Sequence, residues 1–441
     1  MSLKIKIVFF LFCFLISFSG FADPELIQPQ FPPVKEMRLK NGMKFLLVYR
    51  KGPPIFSAYI RFRVGGADEE KGKTGLAHFL EHMAFKGIQG MNEADLSRLI
   101  EKKGGKGFNA STSKDITSYM VSFPTDQLEF WATIESERIF RPNFSDFDKE
   151  REVILEERRM RVEDDPDGRL YEELLLRAFK DTPYEWPTIG LAEDLRKVTQ
   201  EDLKEFWGRH YHPDQAVGVL VGNFDLVAAG KILTKTFGKI PAGLRRGEKE
   251  FEKNAFVSEN FKMTDEVRPR IAIVYLKPPP PNREDYVFDL IDGILGKGRS
   301  SRLYRKLVIE KKVAAGVEVY SGAPGIRGPN LFFVRLTPFE GHSVEEVTKA
   351  YEEEIEKFRR EGPTAEEVQK AINNLLIELL WSLKTNEGLA EQLSYFETAL
   401  GSWRYLETYL GKITEISREE IQEVAERYLD PSQKLTGVLA P

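Results

Sequence analysis

Within Gly75-Leu76-Ala77-His78-Phe79-Leu80-Glu81-His82-Met83-Ala84-Phe85-Lys86-Gly87, two histidines stand four residues apart with a glutamate directly before the second. Leu76, Phe79, Leu80 and Met83 recur at helical spacing and make an apolar stripe, so the segment reads as a core helix. Gly72 and Gly75 before it and Gly87 and Gly90 after it mark its ends. Residues four apart project from one helix face, about one turn from each other. Zn²⁺ favours that arrangement, two imidazole nitrogens held by a rigid element. A carboxylate beside them can take a proton from a water that the metal has made acidic. The order His-x-x-Glu-His is the reverse of the commoner zinc-protease helix and is itself a metallopeptidase signature. The competing reading is a core helix with incidental histidines, since short motifs match by accident. Against it, the chain has only five histidines and two of them fall here.

A catalytic zinc needs a third protein ligand and one open position. The candidate source is Lys149-Glu150-Arg151-Glu152-Val153-Ile154-Leu155-Glu156-Glu157-Arg158-Arg159-Met160, a second helix with Val153, Ile154 and Met160 expected as its buried residues. Its carboxylates outnumber the positions a zinc can use. A charge-rich helix is usually a solvated face, and spacing does not select the ligand.

Four segments, in order, carry a resemblance. They are the His78–His82 helix with its glycines, Asn109-Ala110-Ser111-Thr112, the acidic helix, and Ser300-Ser301-Arg302-Leu303-Tyr304. Together they resemble the M16 peptidases, the pitrilysin, insulinase and mitochondrial-processing-peptidase family. In that family a Glu on the second helix completes the zinc site, and another Glu seven residues earlier supports it. The resemblance implies His78, His82 and Glu157 as ligands of one Zn²⁺ per chain, Glu81 as the base, Glu150 as its catalytic support, and Asn109 and Ala110 as substrate-binding residues. Glu156 is the main rival for third ligand. The implied activity is a zinc-dependent metalloendopeptidase acting on peptides or unfolded segments. The implied fold is two homologous α+β halves, each a mostly antiparallel sheet packed with helices, facing each other as a clamshell.

One departure from the family stands out. Active members resemble Arg-x-x-x-x-x-x-Tyr after the Ser-Arg-Leu-Tyr segment, a pair that reaches the substrate carbonyl. Here Ile309 and Gly316 occupy those positions. Losing one oxyanion donor typically costs about 2.7–4 kcal/mol of transition-state stabilisation. The chain alone is therefore expected to be a poor peptidase. Its expected partner is a homologous subunit that lacks the zinc motif and supplies Arg and Tyr. A non-catalytic scaffold on the same fold is the competing class, and the intact His78, Glu81, His82 and Glu157 argue against it.

At 441 residues, two domains are the default. Hydrophobic residues at 41% and charged residues at 30% are ordinary for a globular protein. A net charge of −5 without a basic block excludes nucleic acid as a natural partner. Residues 1–22 read as a secretory signal: Lys4 and Lys6, an apolar run from Ile7 to Phe18, then Gly20 and Ala22 ahead of the cleavage point. The run is short for a membrane span, and the segment has no Arg, unlike a mitochondrial presequence. Its removal would take away Cys13, the only cysteine, leaving no disulfide chemistry and no stable membrane span. The expected location is the periplasm or the medium.

The chain also repeats itself. Val198-Thr199 opens a helix to His210, and Tyr211-His212-Pro213-Asp214-Gln215 leads into the strand Ala216 to Val221. At an offset of 218, Ile416-Ser417 opens a helix to Tyr428, and Leu429-Asp430-Pro431-Ser432-Gln433 leads into Leu435 to Ala440. A second pair, Ile100-Glu101-Lys102-Lys103 and Ile309-Glu310-Lys311-Lys312, lies at an offset of 209. Two matches at nearly one offset indicate a duplicated unit of about 210 residues. The expected domains are residues 23–241, bearing the zinc motif, and 260–441, a non-catalytic repeat, with a mobile linker at 242–259. Strands lead and helices follow in each half: Phe45–Tyr49, Ser57–Val64 and strands around Phe108–Phe123 in the first, Arg270–Leu276, Gly316–Ser321 and Asn330–Leu336 in the second. Helices are expected over Thr125–Phe140, Asp146–Phe179 and Tyr286–Leu295, with three more later. That order indicates α+β halves.

Other conspicuous residues read as structural. His210 and His212 lack companion ligands, and His342 is expected in an exposed loop. Pro278-Pro279-Pro280-Pro281 reads as a stiff connector after a core strand. Glu163-Asp164-Asp165-Pro166-Asp167 lacks Ca²⁺-ligand spacing. Gly293-Ile294-Leu295-Gly296-Lys297-Gly298-Arg299-Ser300 reads as a flexible loop between helices, without the Gly-Lys-Ser/Thr of a phosphate cradle.

Overall fold

A strand that is apolar at every consecutive position has to be covered on both faces. Phe45-Leu46-Leu47-Val48 and Ile271-Ala272-Ile273-Val274 are such runs, and every one of these side chains is buried. A computed structural model of the chain describes residues 31–243, 251 and 256–441. It places the two runs in two separate sheets.

The first half runs β1 (Val34–Arg38), β2 (Lys44–Tyr49), β3 (Ile55–Phe62), α1 (Leu76–Met83), the short pair β4 (Gly87–Ile88) and β5 (Met91–Asn92), α2 (Glu93–Lys102), β6 (Lys106–Thr112) and β7 (Thr117–Pro124). It continues with α3 (Leu128–Phe140), α4 (Phe147–Arg158), α5 (Pro166–Ala178), α6 (Ala192–Lys197), α7 (Gln200–His210), β8 (Ala216–Gly222) and α8 (Leu226–Lys235). The second half comprises β9 (Asn260–Thr264), β10 (Arg270–Lys277), α9 (Arg283–Leu295), β11 (Ala314–Ala323), β12 (Asn330–Pro338), α10 (Val344–Glu361), α11 (Ala365–Ser382), α12 (Asn386–Leu400), α13 (Tyr405–Thr414), α14 (Arg418–Tyr428) and β13 (Lys434–Ala440).

The sheet orders are β1-β2-β8-β3-β7-β6 and β9-β13-β10-β12-β11. Without β1 they match strand for strand. Each has one parallel pair, β2 with β8 and β9 with β13, and is otherwise antiparallel. The repeat read at an offset of 218 is the unit α7–β8 and its counterpart α14–β13, each joined through a short 3₁₀ turn after a proline. The fold is thus two α+β halves of one design.

Three elements differ from the sequence reading. The expected single helix over Asp146–Phe179 is two, because Pro166 has no N–H to continue α4 and instead starts α5, capped by Asp165. A widened turn at Arg159–Glu163 joins them. Five helices, not three, follow β12. Ser343, Thr364, Thr385 and Ser417 each accept a backbone N–H and restart the helix. The strands β1 and β9 went unread because both are short and largely exposed. The signal segment 1–22 and most of the linker, residues 244–250 and 252–255, lie outside the described residues.

Each sheet is covered on one face by its own helices, in two large apolar clusters. The other face is covered by the opposite half. From the first half, Leu170, Leu174, Leu175 and Ala178 of α5 pack with Ala272, Val274, Phe333 and Leu435 of the second sheet. From the second half, Leu389, Ala390 and Leu393 of α12 pack with Leu46, Val48, Tyr59 and Val219 of the first. Lys44 and Glu397 add an ion pair at 2.6 Å across this boundary. No helix among the described residues is long and apolar enough to cross a membrane. Because each half completes the other's core, Leu393→Ala is expected to destabilise the chain by about 2–5 kcal/mol. Denaturant unfolding should show one transition for both halves; two resolved transitions would show that they fold separately.

Candidate metal centre

The helix α1 is held at its N-terminal end and on one face. Gly75 precedes it in the left-handed region at φ 92°. The buried carboxylate of Glu69 accepts N–H bonds from Gly75 at 2.8 Å and Ala77 at 2.9 Å, satisfying free donors at the positive end of the helix. Leu76, Phe79, Leu80 and Met83 are buried in the first core. Phe79 stacks on Phe147 of α4 with ring centroids 4.7 Å apart. Ile154 is fully buried. That packing sets the rotation of α4 and turns Glu150 and Glu157 toward the histidines.

Side-chain nitrogens of His78 and His82 and a carboxylate oxygen of Glu157 all lie within 4.8 Å of one another. His82 Nε2 is 3.3 Å and His78 Nε2 3.8 Å from Glu157 oxygens. Ligand atoms around a tetrahedral zinc, about 2.1 Å from the metal, stand about 3.4 Å from each other. Two imidazoles and a carboxylate at this spacing fit Zn²⁺ in chemistry and in size. Glu150 Oε1 lies 2.7 Å from His82 Nδ1 and orients that ring from behind, while Lys86 lies 2.5 Å from the other Glu150 oxygen. Glu81 stands on the same face, and Thr112 donates to its Oε2 at 2.6 Å.

Burial lowers the His78 pKa to about 4, and the charge of His82 adds to the effect. Burial also opposes charge on His82, but Glu150 and Glu157 outweigh it and push His82 up to about 9. The Glu157 carboxyl is held below its usual range, first by its hydrogen bond with His82. Burial raises the Glu81 carboxyl, with the Thr112 hydrogen bond opposing, which makes it a stronger base than an exposed glutamate. A cavity of about 740 Å³ opens in front of this face; Asn109, Ala110 and Thr112 line it on one side and Glu157 and Arg161 on the other.

The structure therefore brings together His78, Glu81, His82, Glu150, Glu157, Asn109 and Ala110. Glu156 is not among them; it is exposed and paired with Arg159 at 2.6 Å. Val153 and Met160, expected to be buried, are exposed at 45% and 55%. Val153 sits on the open side of α4 and Met160 in the widened turn that follows it, while Ile154 and Arg158 of α4 are buried. Three contributors went unassigned in the sequence: Thr112, Lys86, and Arg161, which pairs with Glu157 at 2.6 Å. Thr112 stood in a segment that carried the family resemblance, but its role depends on where β6 runs.

The remaining conspicuous residues lie elsewhere. His210 packs on Phe206 with ring centroids 4.6 Å apart, and His342 is half-buried beside Glu346 at 2.9 Å rather than exposed. The four prolines join β10 to α9. In the acidic run, Asp165 caps α5 and Asp167 pairs with Arg270 at 3.3 Å. Gly293, Ile294 and Leu295 end α9, so only residues 296–300 form the loop. At the offset of 209, His78, Glu81 and His82 fall on Val287, Leu290 and Ile291 of α9, all fully buried.

Two family models match the chain. One, described as Insulinase (Peptidase family M16), covers residues 46–191, and the other, Peptidase M16 inactive domain, covers 197–375. The chain is 24% identical over 430 residues to a Helicobacter pylori protein named zinc protease PqqE, covering 94% of each. A crystal structure of a protease from Helicobacter pylori superposes with a TM-score of 0.86 at 24% identity, over 93% of this chain and 100% of that one. The periplasmic protease PqqL from Escherichia coli superposes with a TM-score of 0.75 at 21% identity, and this chain spans 48% of it.

The geometry gives an ordered expectation for metal content. Glu157→Ala should abolish stoichiometric zinc, Glu156→Ala should leave it intact, and Glu150→Gln should weaken zinc affinity by about 10–100-fold. Metal analysis after dialysis against graded chelator checks all three. Full retention in Glu157→Ala would move the third ligand elsewhere.

Proposed function

We propose that this chain, which belongs to the M16 peptidase family, is a zinc-dependent metalloendopeptidase that cleaves peptides or unfolded protein segments. The observation that carries the reading is the convergence of His78, His82 and Glu157 with Glu81 beside them, at the wall of one cavity. His78, His82 and Glu157 would hold one Zn²⁺ per chain. Bound there, zinc polarises a carbonyl and acidifies water. Glu81 accepts the proton of the attacking water and passes it to the leaving amine, and Thr112 keeps its carboxylate aimed. Glu150 fixes the tautomer and tilt of His82.

Substrate is held by β6. It is the edge strand of its sheet, and its residues Asn109 and Ala110 line the cavity. An edge strand offers unpaired backbone groups to an extended peptide, which favours unfolded segments over folded ones. Chemistry belongs to residues 23–241. Residues 260–441 form the non-catalytic repeat, in keeping with the inactive-domain description of the model that matches 197–375 and with the apolar residues opposite the motif on α9.

The active form is a heterodimer with a homologous chain that supplies Arg and Tyr. Ile309 is 51% exposed and Gly316 has open space where a side chain would stand, so neither position donates to a substrate carbonyl. That the chain spans about half of PqqL supports a second similar unit in the working enzyme. Residues 1–22 direct export, and the protein acts in the periplasm or outside the cell. A scaffold role is the second reading, favoured only by Ile309 and Gly316.

Two measurements test this. Glu81→Gln should keep zinc and fold but lose peptidase activity by about 10²–10⁴-fold, because an amide cannot accept the proton. Activity within about twofold of the parent would remove Glu81 from the mechanism. The purified single chain should cut an unstructured peptide slowly or not at all, and native mass measurement of the active complex should show two different chains. Brisk cleavage by a monomer or homodimer would remove the need for a partner.

A further inference from the structure

The loop between β11 and β12 of the second half carries Arg327 into the first half. Its side chain is only 8% exposed. The two terminal nitrogens grip Asp68 as a fork, at 3.0 and 2.9 Å, and Nε donates to Asp115 Oδ1 at 2.8 Å. The other Asp115 oxygen accepts from Tyr184 Oη at 2.6 Å and from the backbone N–H groups of Ile326 and Arg327 at 2.5 and 3.1 Å. A Cβ on Gly325 would collide with both Asp115 and Tyr184, so the loop reaches this depth only with glycine there.

The two acids belong to two different pieces of the metal centre. Asp68 lies in the lead-in to α1, next to Glu69, whose carboxylate holds the first N–H groups of that helix. Asp115 lies in the turn after β6, three residues beyond Thr112, which aims Glu81. Lead-in and turn already touch through Gly66 and Ala67 N–H bonds to Ser113 and Lys114 carbonyls, at 3.1 and 2.8 Å. Arg327 therefore bridges the element that presents His78, Glu81 and His82 to the strand that presents Asn109, Ala110 and Thr112. A planar guanidinium with fixed donors holds two carboxylates at set directions; an ammonium does not.

We propose that Arg327 is a positioning residue through which the second half, without chemistry of its own, sets the gap between the metal-binding helix and the edge strand β6. This rests on the peptidase reading for its effect on turnover, but not for its effect on the strand.

The test uses the full zinc-loaded chain, with its partner if activity requires one, carrying Arg327→Lys. Amide exchange followed by mass spectrometry reports residues 106–112 and, as a control across the boundary, residues 271–277. The expected result is faster exchange in 106–112 with 271–277 unchanged, zinc retained, and kcat for an unstructured peptide reduced by about 10²-fold with little change in KM. Should Arg327→Lys fail to fold, Asp115→Asn frees the turn while leaving the fork to Asp68, and the same pattern is expected. Exchange in 106–112 equal to that of the parent, or accelerated uniformly in both halves, would overturn the proposal. A parent with no turnover would defeat the peptidase reading alone, since the exchange comparison still decides the role of Arg327.

Discussion

Each half of this protein leaves one sheet face bare and has it covered by the other half's helices. The constraint is set by composition: strands such as Phe45–Val48 and Ile271–Val274 are apolar on both sides and cannot tolerate water on either. The duplicated unit solves this reciprocally, α5 covering the second sheet and α12 the first. The described residues of the two halves consequently pack together as one compact unit.

That packing brings the residues of the candidate metal centre together from distant pieces. The histidines come from α1, the acids from α4, and Thr112 from β6, and none of these is held by its own helix or strand alone. Two of the carboxylates here are paired with cations: Glu150 between His82 and Lys86, Glu157 between the histidines and Arg161. Such pairs cost desolvation and are retained where geometry matters more than stability. The Glu157 carboxyl is held low first by its hydrogen bond with His82, whereas burial raises that of Glu81 against the Thr112 hydroxyl.

Duplication has also divided the labour. α1 and α9 hold equivalent places after the equivalent strands β3 and β10. One turns His78, Glu81 and His82 to a cavity and the other turns Val287, Leu290 and Ile291 into its core. The second half contributes α12 and the Arg327 loop to the packing of the first.

The residues that the sequence made legible are those whose message is local. The His78–His82 spacing, the glycines around it, the apolar stripe of α1 and the repeated Pro-x-Gln turn are all statements about neighbours within a few positions, which helix and strand periodicity convert directly into geometry. The cap Ser417 was legible in the same way, whereas Ser343, Thr364 and Thr385 went unread as caps. The family resemblance pointed to Glu157 rather than Glu156, and packing gives the physical reason that Glu157 faces the histidines: the rotation of α4 is set by Phe79 against Phe147 and by the burial of Ile154. Packing alone exposed Val153 and Met160, and it alone joined Arg327 to Asp68, 259 residues apart in the chain. One residue along a helix changes direction by about 100°, so which carboxylate faces the two histidines depends on contacts between elements that no local pattern encodes.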